Sequence, residues 1–86
     1  MQKAHGKMKR GDTVWVIEDM GMSVRELEFL RQSEDGLFSH LRYKGDTGRG
    51  SSYMTHFVRD DRRQAYEDAA KMLLDRAAEH QQEAQK

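Results

Sequence analysis

The chain has 86 residues, with fifteen Lys and Arg against fifteen Asp and Glu and no cysteine. That length holds one domain, the formal charge is zero, and the missing thiols exclude a disulfide framework, a thiolate metal site and a cysteine nucleophile. Leu, Ile, Val and Phe together number only 14, enough for a thin core and too few to enclose a substrate-sized cavity.

The charge cancels overall but is segregated along the chain: +4 over residues 1–10, −5 over 11–36, +3 over 37–59 and −2 over 60–86. Residues 1–10 lack periodicity and read as a flexible basic arm that ends in the turn Arg10-Gly11-Asp12. Thr13-Val14-Trp15-Val16-Ile17 is dense in β-branched and aromatic side chains with both faces apolar, the pattern of a strand covered on each side. Met20 and Met22 flank Gly21 in a turn, as core caps or as adaptable apolar contacts.

Residues 23–32 carry two competing patterns. Ser23-Val24-Arg25-Glu26 matches a helix capping box, with Met22 and Leu27 placed as a hydrophobic staple. Leu27 and Phe29 alternate with Glu26, Glu28 and, after Leu30, Arg31, which suits a strand. The turn residues Ser33-Glu34-Asp35-Gly36 that follow favour a hairpin, with Leu37, Ser39, Leu41 and Tyr43 on one face of its second strand. Were the capping box to prevail, the order would become β-α-β-β-α.

Lys44 to Ser52, with Gly45, Gly48 and Gly50, reads as a mobile loop, and Tyr53 to Val58 as a last strand. Asp60 or Asp61 can cap the helix after it, with Gln64 in the third helical position if Asp61 is the cap. Ala65, Tyr66, Ala69, Met72, Leu73 and Ala77 then fall at helical spacing. The predicted fold is α+β: a small twisted antiparallel sheet or barrel of three to five strands with one C-terminal amphipathic helix over about 61–79, a single domain over 11–79, and a frayed tail over 80–86. Its expected core is Trp15, Ile17, Leu27, Phe29, Leu41, Phe57, Tyr66, Met72 and Leu73.

The candidate chemistry is sparse. Gly45 and Gly50 stand at two positions of a phosphate-binding loop, but Ser51 occupies the place of its lysine. His5, His40, His56 and His80 fall in four different elements without ligand spacing, so no metal and no cofactor is expected; His40 and His56 read as a cross-strand pair. No nucleophile, base and acid group together, and the expectation is a protein without catalytic activity. The longest apolar run, Val14 to Ile17, falls far short of the roughly 20 residues that cross a bilayer. The basic N-terminus lacks the apolar stretch of a signal peptide, so a cytoplasmic protein away from the membrane is expected.

Several stretches together resemble small phage and prophage accessory proteins: Gly11-Asp12-Thr13-Val14-Trp15-Val16-Ile17, the Glu34-Asp35-Gly36 hairpin turn, and Phe57 leading into Arg62-Arg63-Gln64-Ala65. Those proteins have a small twisted sheet or Src-homology-like barrel opening on Gly-Asp-x-Val, and a C-terminal helix with an early Ala. Gln64 stands where they carry an acidic residue, and the Gly45–Ser52 loop is this chain's own. The resemblance implies an accessory product that binds and modulates a host enzyme or defence complex, as anti-CRISPR proteins do; it carries over no functional residue.

Two binding functions follow. Segregated, cancelling charge suits a complementary protein surface, with Glu34, Asp35, Arg42, Lys44, Asp46, Arg49 and Tyr53 as candidate contacts and a host protein, or a second copy of the chain, as partner. The alternative is nucleic-acid binding through Lys3, Lys7, Lys9 and Arg10 of the arm together with the Arg42–Arg49 region and its flanking tyrosines. The neutral total charge places that alternative second.

Overall fold

A computed structural model describes residues 8–86. Lys3 and Lys7 of the candidate nucleic-acid arm, and His5, lie outside the described residues. The elements run β1 (Thr13–Glu18), a 3-10 turn (Asp19–Gly21), β2 (Ser23–Gln32), β3 (Phe38–Arg42), β4 (Ser51–Met54), a second 3-10 turn (Thr55–Phe57), β5 (Val58–Arg59) and α1 (Arg62–Ala84). The strands form one antiparallel sheet in the order β4-β3-β2-β1-β5. This is the α+β arrangement, with an open sheet of five strands in place of a closed barrel.

The strand pattern at 23–32 prevails over the capping box because β2 lies between two partners, β1 and β3. β1 pairs with residues 23–28 and β3 with residues 28–32, so the whole segment has a ladder partner, which a short helix there would not match with its few internal bonds. The predicted strand at Tyr53–Val58 is divided. Its first part, within β4, pairs with β3, and its end, β5, pairs with β1 at the other side of the sheet. Thr55–Phe57 turns the chain between these edges, so the sheet is strongly curled.

The interior of that curl holds Val14, Val16, Leu27, Phe29, Leu41 and Val58, with Met8, Tyr53 and Phe57 packed against them. Trp15, expected in the core, is only partly buried: it alternates with Val14 and Val16 and points to the opposite face. A tightly curled face has room for valines where a tryptophan would not fit. Two polar side chains are also buried, Ser39 and Thr55, and they satisfy each other through an Oγ···Oγ1 hydrogen bond of 2.8 Å. Leu37 and Tyr43 do not join Ser39 and Leu41, because β3 ends inside them, and they are 63% and 55% exposed.

The helix starts at Asp61, whose carboxylate accepts from Gln64 N at 3.1 Å. It packs on β1, β2, β5 and the first 3-10 turn through a narrow stripe: Ala65 and Ala69 are buried, while Asp68 and Met72 are partly so. Tyr66 and Leu73, assigned to the core from their spacing, lie on the flanks and are 46% and 39% exposed. Small residues let the helix approach closely. At Gly21 a Cβ would stand 2.5 Å from Ala69 O and 3.1 Å from Met72 Cβ. The same turn holds Asp19 and Met20 at positive φ, 54° and 56°, a conformation that costs about 1–2 kcal/mol per residue. The docked helix therefore holds a strained turn in place.

A second clamp ties the helix to β5. Arg59 Nε lies 2.8 Å from Asp68 Oδ2, and Gln64 Nε2 donates to Asp68 Oδ1 at 2.8 Å. The Arg59 hydrogen bond is the main reason the Asp68 carboxyl is held below its usual range. The helix also continues through His80 to Ala84 where a frayed tail was expected. Gln81, Gln82, Glu83 and Ala84 are all adequate helix formers with no Gly or Pro to stop them. From Leu73 onward every residue is exposed, so this half of the helix extends past the sheet.

Gly21→Ala is expected to destabilise the protein by about 1–3 kcal/mol more than Gly45→Ala, because it adds overpacking to the same positive-φ cost. Gly45 has a φ of +85° and nothing within 4 Å of its Cβ position; urea unfolding of the two variants checks this. Because the folded pKa of Asp68 is depressed, its contribution is complete above the unfolded value of about 3.9 and is lost as pH falls through the folded value. Asp68→Asn should lower stability near neutrality by about 1 kcal/mol and flatten the acid limb of a stability-against-pH curve.

Candidate functional site

The outer face of the sheet is only partly covered. The helix lies over its β5-β1-β2 side, and on the remainder, formed by the second half of β2 with β3 and β4, no helix of the described residues packs. The register decides which side chains stand there. Glu28 pairs with Arg42 and Phe29 with Leu41, but the next pairs are Arg31 with His40 and Gln32 with Ser39. Leu30 is thus the extra residue of a β-bulge.

Strict alternation would turn Arg31 to the same side as Phe29, into the core. The bulge places it opposite His40, on the outer face with Arg42. Across β3 and β4, His40 pairs with Ser52 and Phe38 with Met54. The bare face accordingly carries Phe38, His40 and Arg42 in a row along β3, with Arg31 and Glu28 on one side and Ser52 and Met54 on the other.

Two further segments bring cations to this face. The chain before β1 joins β2 next to the bulge: Gly11 N donates to Phe29 O at 2.8 Å and Phe29 N to Asp12 O at 2.9 Å. The Asp12 carboxylate and carbonyl groups of the same segment close a turn over Lys9 and Arg10, with Lys9 N donating to Asp12 Oδ2 at 2.9 Å and Asp12 N to Lys9 O at 2.9 Å. On the other flank, the loop after β3 folds back on Arg42. Asp46 N donates to Tyr43 O at 3.1 Å, Gly48 N to Asp46 Oδ1 at 3.1 Å, and Arg42 Nη1 to Gly48 O at 3.0 Å. Gly50, at a φ of +75°, returns the backbone so near β3 that a Cβ would stand 2.1 Å from Leu41 O; only glycine permits that approach.

The result is an open cleft of about 550 Å³. Arg10, Arg31, Arg42 and Arg49 line it together with His40 and Ser52, over a floor that includes Leu30, and no carboxylate among the described residues lines it. Arg42 is partly neutralised by Glu28, Nε to Oε1 3.4 Å. Arg10, Arg31 and Arg49 have no acidic partner among the described residues. Unpaired guanidinium groups converging on one concavity offer planar forks of donors to phosphate.

Ser52 Oγ and His40 Nδ1 are 3.1 Å apart, the range in which an imidazole can activate a hydroxyl. Such a pair also needs an acceptor to orient the far ring nitrogen, and the cleft lining provides none. We read it as a cross-strand hydrogen bond. It replaces the expected pairing of His40 with His56, which lies in the second 3-10 turn with its ring edge-on to Phe57. Among the described residues no three His, Asp or Glu side chains come together to hold a metal, and no helix is long and apolar enough to cross a membrane.

The residues predicted from sequence divide between the two ends of β3. Arg10, Arg42 and Arg49 meet in the cleft, while Lys9 and Lys44 are exposed outside its lining. Asp46 holds the loop, and Tyr53 packs against the core, where burial is the main cause raising its phenol above the ordinary range. Glu34 and Asp35 sit in the β2–β3 turn. Asp35 Oδ1 accepts from Ser33 Oγ at 2.6 Å and from Leu37 N at 3.0 Å, and these bonds, the first foremost, lower its carboxyl. Arg31 is the residue that the sequence reading missed, hidden in the most acidic block of the chain.

Three unpaired cations held together repel one another, so removing one should relieve the fold. Arg49→Gln is expected to raise stability by about 0.5 kcal/mol at low ionic strength, a gain seen as a higher Tm that disappears in 1 M salt. No family model, no curated protein and no solved structure matches the chain.

Proposed function

We propose that this protein binds nucleic acid without catalysis, holding the sugar-phosphate backbone in the arginine-lined cleft of the β2-β3-β4 face. The observation that carries the reading is the convergence of Arg10, Arg31, Arg42 and Arg49 in one concavity that no carboxylate among the described residues lines. Phosphate neutralisation by such groups releases condensed counterions and supplies affinity largely independent of sequence. The neutral net charge of the whole chain bears less weight, because screening limits exposed charges to a range of about 8–10 Å. Near the cleft Glu28 pairs with Arg42 and Asp46 holds the loop, while Arg10, Arg31 and Arg49 have no acidic partner among the described residues.

The same geometry explains our preference for nucleic acid over modulation of a host protein. The protein-binding residues are dispersed over both ends of β3, and Asp35, Asp46 and Tyr53 are engaged in turns and packing. The residues suited to phosphate are gathered.

An oligonucleotide titration followed by fluorescence anisotropy tests the reading. Binding should weaken steeply between 50 and 200 mM salt, in the manner of phosphate contacts. Charge removal at two positions, Arg31→Gln with Arg49→Gln, should lower affinity by at least about tenfold and reduce the log–log salt slope by roughly 1–2. Salt-independent binding, or an unchanged slope in the double variant, contradicts it.

A further inference from the structure

Resting on that reading, we infer that the ligand is single-stranded, with its bases stacked on the exposed ring of Phe38 and its phosphates on the arginines at the other end of β3. Phe38, His40 and Arg42 alternate with the buried Ser39 and Leu41, so all three stand on the bare outer face. Their spacing along the strand is about 6.8 Å from one to the next, comparable with the step between successive nucleotides of an extended single strand. The row therefore presents an aromatic ring, an imidazole and a guanidinium in register with a strand running along β3.

The apolar end of this track lacks any role in the core. Phe38 is 44% exposed and its cross-strand partner Met54 is 53% exposed. They form an apolar platform on a face that is otherwise polar, continuous with the arginine cleft through His40. A single strand can use both parts, since unstacked bases seek aromatic faces while their phosphates meet cations. A duplex keeps its bases within its own stack and could use only the arginines. Beyond Phe38 the Glu34-Asp35 turn places two carboxylates at the end of the track, which repels further phosphates and limits the site to a few nucleotides.

The test compares one sequence of about twelve nucleotides as single-stranded DNA, single-stranded RNA and DNA duplex, by anisotropy at low salt with the full chain. A single strand in either chemistry should bind at least about tenfold tighter than the duplex. Phe38→Ala should weaken single-strand binding by about fivefold to a hundredfold and leave duplex binding unchanged. Phe38→Leu keeps an apolar side chain without a ring, so it should show the same selective loss even if the alanine variant does not fold; Phe38→Trp should retain binding. Equal affinity for strand and duplex, or single-strand binding indifferent to the ring, overturns this inference and leaves the backbone-binding reading standing. Failure of the wild-type chain to bind any of the three overturns both.

Discussion

A sheet has two faces, and here a single helix whose buried contact is two alanines, Ala65 and Ala69, covers only part of one of them. Everything else in the molecule is arranged around that shortage of apolar cover. The inner face solves it by curling on itself until Val14, Val16, Leu27, Phe29, Leu41 and Val58 fill the space. The outer face solves it on one side with the helix, held close by Gly21 and by the Arg59–Asp68 pair. Its other side is left with mostly polar side chains and the exposed pair Phe38 and Met54; the polar groups, facing solvent, cost nothing in desolvation. The same uncovered surface is where the candidate site lies.

The bulge at Leu30 gives that surface its sign. One additional residue in β2 carries Arg31 from the side of Phe29 to the side of Arg42 without disturbing the pairs before it. Leu30 itself stays buried, so the irregularity retains its apolar contact. A buried arginine at the same place would have demanded a partner that the inner face lacks. The bulge therefore spares the core an unpaired charge and supplies a cation to the cleft. The neighbouring Gly11–Phe29 and Asp12–Phe29 backbone bonds fasten the segment just before β1 beside it, which brings Arg10 into the same cleft as Arg31.

Much of the fold was legible in the residues, and the reasons for the rest are physical. Strand β1 follows from its β-branched density, and the Asp61 cap follows from its spacing to Gln64. Which face of β1 turns inward does not follow, because both are apolar; the curvature of the sheet favours Val14 and Val16 over the larger Trp15. The 3-10 turn at Thr55–Phe57 was hidden because a strand that changes edges carries the same residues as one that does not. The site was half legible. Arg42, Arg49 and the tyrosines mark the loop region, whereas Arg31 is masked in sequence by Glu26, Glu28, Glu34 and Asp35, of which Glu28 pairs with Arg42 and Asp35 is held within the β2–β3 turn. Averaging charge over blocks loses a cation that register alone places.

The central claim is that the uncovered β2-β3-β4 face, and no other surface, receives the nucleic acid. A two-dimensional amide NMR titration of the labelled chain with a short single-stranded oligonucleotide tests it most directly. The account predicts that the largest shifts fall at Arg31, His40, Arg42, Arg49, Gly50 and Ser52, with a smaller set around Phe38 and Met54 and little change along the helix after Leu73. Shifts concentrated on the helix or confined to the Lys44–Thr47 loop tip, with the outer face of β2-β3-β4 unmoved at saturation, would contradict it.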